Sequence, residues 1–125
     1  MAAIVGSKEG QGHVQMITRF ALFEGSIKEG MTERFRKAVT DRLVPLWTQF
    51  PGNTDVRVMF GEERDAGAPE FPLILAISYP STEVMALALT SDVRNQSKAM
   101  TGVIVAEFFE GRIHHHVTEA AEYKA

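Results

Sequence analysis

The chain has 125 residues, 13 Lys and Arg against 16 Asp and Glu for a formal charge of −3, 45% hydrophobic residues and no cysteine. That size suits one domain with one core, and an acidic balance without a basic cluster argues against nucleic acid or an anionic membrane as partner. Without cysteine there is no disulfide, thiol nucleophile or thiolate-bound metal, and no apolar run approaches the ~20 residues of a membrane span.

Residues 1–12, MAAIVGSKEGQG, read as a flexible tail. They carry no basic leader of the secretory kind, and their glycines precede a strand instead of linking strand to helix around a phosphate. A cytoplasmic location is the default expectation. His13 to Phe23 alternates and reads as the first strand, with Val14, Met16, Thr18, Phe20 and Leu22 on one face and His13, Gln15, Ile17, Arg19, Ala21 and Phe23 on the other. After a polar connection, Thr32 to Phe50 carries Phe35, Ala38, Val39, Leu43, Leu46, Trp47 and Phe50 at helical spacing. Thr32 is its expected N-cap, Pro45 its kink, and Pro51-Gly52 its stop.

Asp55 to Phe60 alternates again, and GEERDAGAPE after it reads as a hairpin loop. Phe71 to Tyr79 is the third strand, with an apolar centre suited to cover on both faces. Ser81 is the expected cap of a helix over Val84–Leu89. Ser91-Asp92 restarts a helix running to about Glu107, with a strand over GVIVAEF as the competing reading. Arg112 to Thr118 is the last strand, and residues 119–125 form a short tail, leaving residues 13–118 as the domain.

Strand, helix, strand, strand, helix, strand is the order of a ferredoxin-like βαββαβ fold, a four-stranded antiparallel sheet with its helices on one face. The first and third strands lie centrally. The set Val14, Met16, Phe20, Val56, Val58, Phe60, Leu73, Leu75, Ile77, Ile113 and Val117 is expected under the helices. The opposite face mixes Ile17, Phe23, Met59, Ile74 and Ala76 with His13, Arg19, Arg57, Ser78, Arg112, His114 and His116. It is too apolar to face water and too polar for a core, so a second copy of the sheet in a homodimer is the economical cover.

The order of elements, RLVPLW late in the first helix, FPLILAISYPSTEVMALAL and FFEGRIHHHV together resemble the dimeric α+β-barrel superfamily, and within it the EthD-like branch. Members of that branch often carry His-x-Pro-Leu late in the first helix. Here the segment is Leu43-Val44-Pro45-Leu46, so the histidine position holds Leu43. The resemblance implies a dimer with a small-molecule pocket between sheet and helices, in a superfamily of cofactor-free monooxygenases, isomerases, polyketide cyclases and haem-binding enzymes.

Such a pocket is expected to present Phe35, Trp47, Phe20, Tyr79 and His115. His115 would serve as general base and Tyr79 as donor to a carbonyl or phenolate oxygen, and no cofactor is expected. A core histidine satisfied by one carbonyl, and Trp47 as plain core, are the bland alternatives. His114 and His116, two apart on one strand, and His13 on its neighbour could instead hold a metal or haem iron. Arg19, Arg57 and the histidines could hold an anion. The leading reading is a cofactor-free enzyme or binder for a small apolar carbonyl or aromatic compound. A non-catalytic sensing or scaffold dimer is the alternative.

Overall fold

The computed structural model describes the backbone of residues 13–125 and the side chains of residues 16–125, so the expected N-terminal tail lies outside the described residues. Strands β1 (His13–Ile27), β2 (Asp55–Phe60), β3 (Leu73–Tyr79) and β4 (Phe109–Tyr123) form one antiparallel sheet in the order β2-β3-β1-β4. Helices α1 (Thr32–Ala38), α2 (Val44–Trp47), α3 (Thr82–Leu89) and α4 (Asp92–Phe108) pack on one face of it. This is the ferredoxin-like α+β architecture with β1 and β3 at the centre.

The first helix is one element with a fault in it. Pro45 has no N–H to give to the carbonyl four residues back, and its ring crowds that carbonyl. The chain answers by widening to a π-turn over Val39–Leu43, where the Val44 N–H reaches Val39 O, before α2 resumes. The widening keeps Phe35, Val39, Leu43 and Trp47 all buried on the sheet side. Thr32 is not the cap. Met31 holds that position without a side-chain bond, and Thr32 is already the first helical residue. Ser81 forms its cap as expected, Oγ accepting from Val84 N at 3.2 Å, and the restart at Ser91-Asp92 is also capped, Ser91 Oγ accepting from Arg94 N at 3.3 Å. GVIVAEF lies within α4, a helix.

Two strands are longer than their hydrophobic alternation. β1 and β4 each span 15 residues and pair throughout, from His13↔Tyr123 to Ile27↔Phe109. Ladder bonds between the two backbones carry the polar stretches 24–27 and 119–123, which no side-chain pattern marks. So β4 continues five residues past the Thr118 end expected for it. Gly25 faces Gly111 in this ribbon, both at positive φ, and a Cβ on either would strike the carbonyl of Glu110 or Glu24.

The face assignment holds for β2, β3 and β4 and is reversed for β1. Ladder partners share a face, and Arg19↔Ile77, Ala21↔Leu75 and Phe23↔Leu73 set the odd residues of β1 under the helices. Phe20 pairs with Ala76 and His116 on the opposite face. Thr18 lies on that face too, its hydroxyl bonded to Ser78 Oγ at 2.8 Å.

Candidate functional site

A cavity of about 380 Å³ opens between the sheet, α2 and α4. Its floor is apolar where it crosses β1 and β3, at Ala21, Leu75 and Ile77. Trp47 and Phe50 close one side. The other is a stripe of α4, Arg94, Ser97, Lys98, Thr101, Gly102 and Val105, whose three- and four-residue steps put them on one helix face. Trp47 donates its indole N–H to Ser97 Oγ at 3.0 Å, both residues buried, which fixes the ring against α4. Nothing stands within 4 Å of where a Cβ on Gly102 would be, so the helix leaves open space there.

The register places the polar groups. Arg19 faces Ile77 on one side and Val117 on the other, so Tyr79 and His115 are both its diagonal neighbours, about 7–8 Å away between Cα atoms. Tyr79 faces Ile17 and His115 faces Ala21, so β1 lies between them. Their Cα atoms are about 16 Å apart by strand spacing and rise, and no hydrogen bond joins them. They stand at two ends of the cavity with Arg19 between. Arg94 enters from the first turn of α4, with Nη1 donating to Leu89 O at 3.4 Å.

These groups perturb one another. The His115 pKa is lowered, first by burial and then by Arg19, Arg94 and His114, so the imidazole is neutral at neutral pH and able to accept a proton. Burial raises Tyr79, against the pull of Arg19 and Arg94, which keeps it a phenol and a donor. Burial and Arg94 lower Arg19, which as a guanidinium stays charged.

Of the side chains expected at the pocket, His115, Tyr79 and Trp47 line this cavity, and Arg19, expected to bind a ligand from the other face of the sheet, joins them. Two do not. Phe20 is on the other face of β1. Phe35 is fully buried behind the cavity, 6.2 Å from the Phe108 ring and 6.5 Å from Phe109. Arg19 belongs to the helix side, not to the back of the sheet with Arg57. His115 is exposed at the cavity, not a core histidine. Arg94, Ser97 and Lys98 were missed. Their signal is a polar stripe continuing through Thr101 into the buried Ile104 and Phe108, one face of a single helix.

On the back of the sheet His114 is bound by Glu24, Nε2 to Oε1 at 2.7 Å, with Arg112 Nε 3.7 Å from the same oxygen. His116 lies two residues along, exposed, and the side chain of His13 is outside the described residues. Among the described residues no three potential ligands gather into a metal-holding group.

No family model matches this chain, and no curated protein matches it. Solved structures do. An ethyl tert-butyl ether D (EthD) family protein from Bacillus halodurans C-125 aligns over 84% of this chain and 98% of its own, at 22% identity and a TM-score of 0.64. A candidate antibiotic-biosynthesis monooxygenase from Bacillus cereus aligns over 88% and 97%, at 18% identity and 0.58. A dimeric protein of unknown function and ferredoxin-like fold from Bacteroides fragilis NCTC 9343 aligns over 88% and 96%, at 14% identity and 0.53. The likeness is one of fold, and the chain has the ferredoxin-like fold of these EthD-family and monooxygenase-like structures.

Proposed function

We propose that the protein binds a small, largely apolar carbonyl or aromatic compound between α4 and the sheet and removes a proton from it. The observation that carries this reading is the cavity of about 380 Å³, within the range of ligand pockets, with an apolar floor and a neutral imidazole, a phenol and two guanidiniums among its lining. His115 accepts the proton from a carbon or hydroxyl next to the carbonyl or ring. The charge left behind collects on the ligand oxygen. In this reading Tyr79, across β1 from His115, and Arg19, on β1 between them, donate to that oxygen. Proton removal of this kind is a first step shared by monooxygenase, isomerase and cyclase chemistry, and the likeness to a candidate monooxygenase is in keeping with it.

The back of the sheet supports a homodimer. Phe20, Leu22, Met59 and Ile74 are half-buried there without a described cover, and one structure of the same fold is dimeric. Ile74→Arg then yields single chains in sedimentation, whereas the native protein sediments as a pair.

A direct test is hydrogen–deuterium exchange at C1 of 2-tetralone, followed by proton NMR. The protein accelerates exchange over buffer, and His115→Ala reduces the excess rate about 10²–10⁴-fold. Exchange unaffected by that substitution removes His115 as the base. Saturable binding without any acceleration favours the non-catalytic sensing reading.

A further inference from the structure

The charges around the cavity go further than the proton transfer requires. Arg19, Arg94 and Lys98 all line it, and no Asp or Glu does among the described residues. The chain as a whole is acidic, 16 to 13. Ion pairs elsewhere join Arg36 to Glu62, Lys37 to Asp41, Arg42 to Glu107, Arg64 to Glu70 and Arg112 to Glu24. Among the described residues none brings a carboxylate to the three cavity cations. The nearest acid in sequence, Asp92, accepts from Gln96 Nε2 at 2.9 Å, and neither of those residues lines the cavity. Two half-buried guanidiniums sharing a cavity without a counter-ion repel each other, and an oxyanion between them would relieve that cost.

We infer that the ligand carries a permanent carboxylate, its ring seated between Trp47 and Val105 and its carboxylate held by Arg19 and Arg94 at the mouth beside Lys98. This rests on the pocket reading above and narrows it to aromatic or alicyclic carboxylic acids. A carboxylate suits the planar guanidinium fork, which gives two parallel hydrogen bonds. Lys98, exposed at the mouth, adds attraction that salt screens. Arg94 is anchored through Leu89 O, so one of its nitrogens is spent on holding the fork in place.

Calorimetric titration of the full chain with 2-naphthoate and with its neutral counterpart 2-naphthamide tests this. The carboxylate binds about 10–100-fold more tightly than the amide, as hydrogen bonds to charged groups imply. Its affinity falls as salt rises, and that of the amide does not. Arg94→Ala and Arg19→Met each erase most of the preference. Arg94→Lys restores part of it. Arg42→Ala, on the other side of the helix layer in its pair with Glu107, changes neither ligand, and thermal unfolding of every variant checks the fold. Equal affinity for the two ligands overturns the carboxylate assignment and leaves the pocket reading standing. A preference that survives Arg94→Ala and Arg19→Met overturns it as well. Binding of neither ligand overturns both.

Discussion

One layer of side chains between helices and sheet has two unlike ends. At one end Phe35, Phe108 and Phe109 close on each other and on Phe23, whose ring also borders the cavity, with edge contacts at 5.9 Å for Phe23–Phe109 and 6.2 Å for Phe35–Phe108. Leu43, Leu73 and Ile104 fill the space beside them. At the other end the same helices and strands offer Ala21, Ser97 and Gly102, and a cavity remains. The backbone architecture is common to both, so the hollow is made by small residues at a few crossing points. Stability should then reside at the packed end and ligand binding at the hollow one, and each can be altered without the other.

The largest effect expected is at the packed end. Phe35→Ala removes a fully buried ring and its two aromatic contacts, and costs about 3–5 kcal/mol in denaturant unfolding. Where the variant still folds, its affinity for 2-naphthoate is unchanged. Trp47→Phe strikes the wall between the ends. It loses the bond to Ser97 and costs about 1–2 kcal/mol, and it also weakens ligand binding. The hollow end gives the opposite sign. Gly102→Ala removes a flexible residue from the interior of α4 where nothing obstructs a Cβ, and stabilises by about 0.5–1 kcal/mol. Gly102→Phe keeps the fold and fills the cavity, so ligand binding is lost in calorimetry while unfolding changes little.

The smallest effect is on pH dependence. The His115 pKa is lowered in the folded chain below its ordinary 6.5, so below that pH the unfolded chain binds more protons. Stability therefore falls as pH drops from about 6.5 through the folded value. The imidazole is substantially exposed, so this slope is shallow. His115→Gln flattens it in unfolding measured between pH 7 and pH 5. The same sign extends the working range of the base, since His115 stays unprotonated to a pH below that of a free imidazole.

The packed end was the legible one. Phe35, Val39, Leu43 and Trp47 announce a helix stripe, β2 alternates, β3 has the apolar centre of a strand covered on both faces, and Ser81 and Ser91 each cap the helix that follows. At the hollow end the same signals mislead. Counting apolar residues along β1 favours the face with Phe20 and Leu22, because the true helix side carries Arg19 and Ala21 for the cavity. The strand that forms the pocket floor is thus the one whose phase inverts, and Phe20 was misplaced with it. α4 misled in the same way: its cavity face is Arg94, Ser97, Lys98, Thr101 and Gly102, polar or small, and periodicity of apolar residues passes over it. The 119–123 extension of β4 depends on backbone pairing with β1 and has no side-chain pattern to read.

The division between the two ends can be tested most directly by the amide spectrum of isotope-labelled protein titrated with 2-tetralone. The indole N–H of Trp47, the single tryptophan, and the backbone amides of Gly102 and Val105 shift together to saturation, while those of Phe35, Leu73 and Phe109 stay in place. Shifts centred on the Phe35 end or on the back of the sheet, or none at the Trp47 indole, would contradict the placement of the ligand in the hollow.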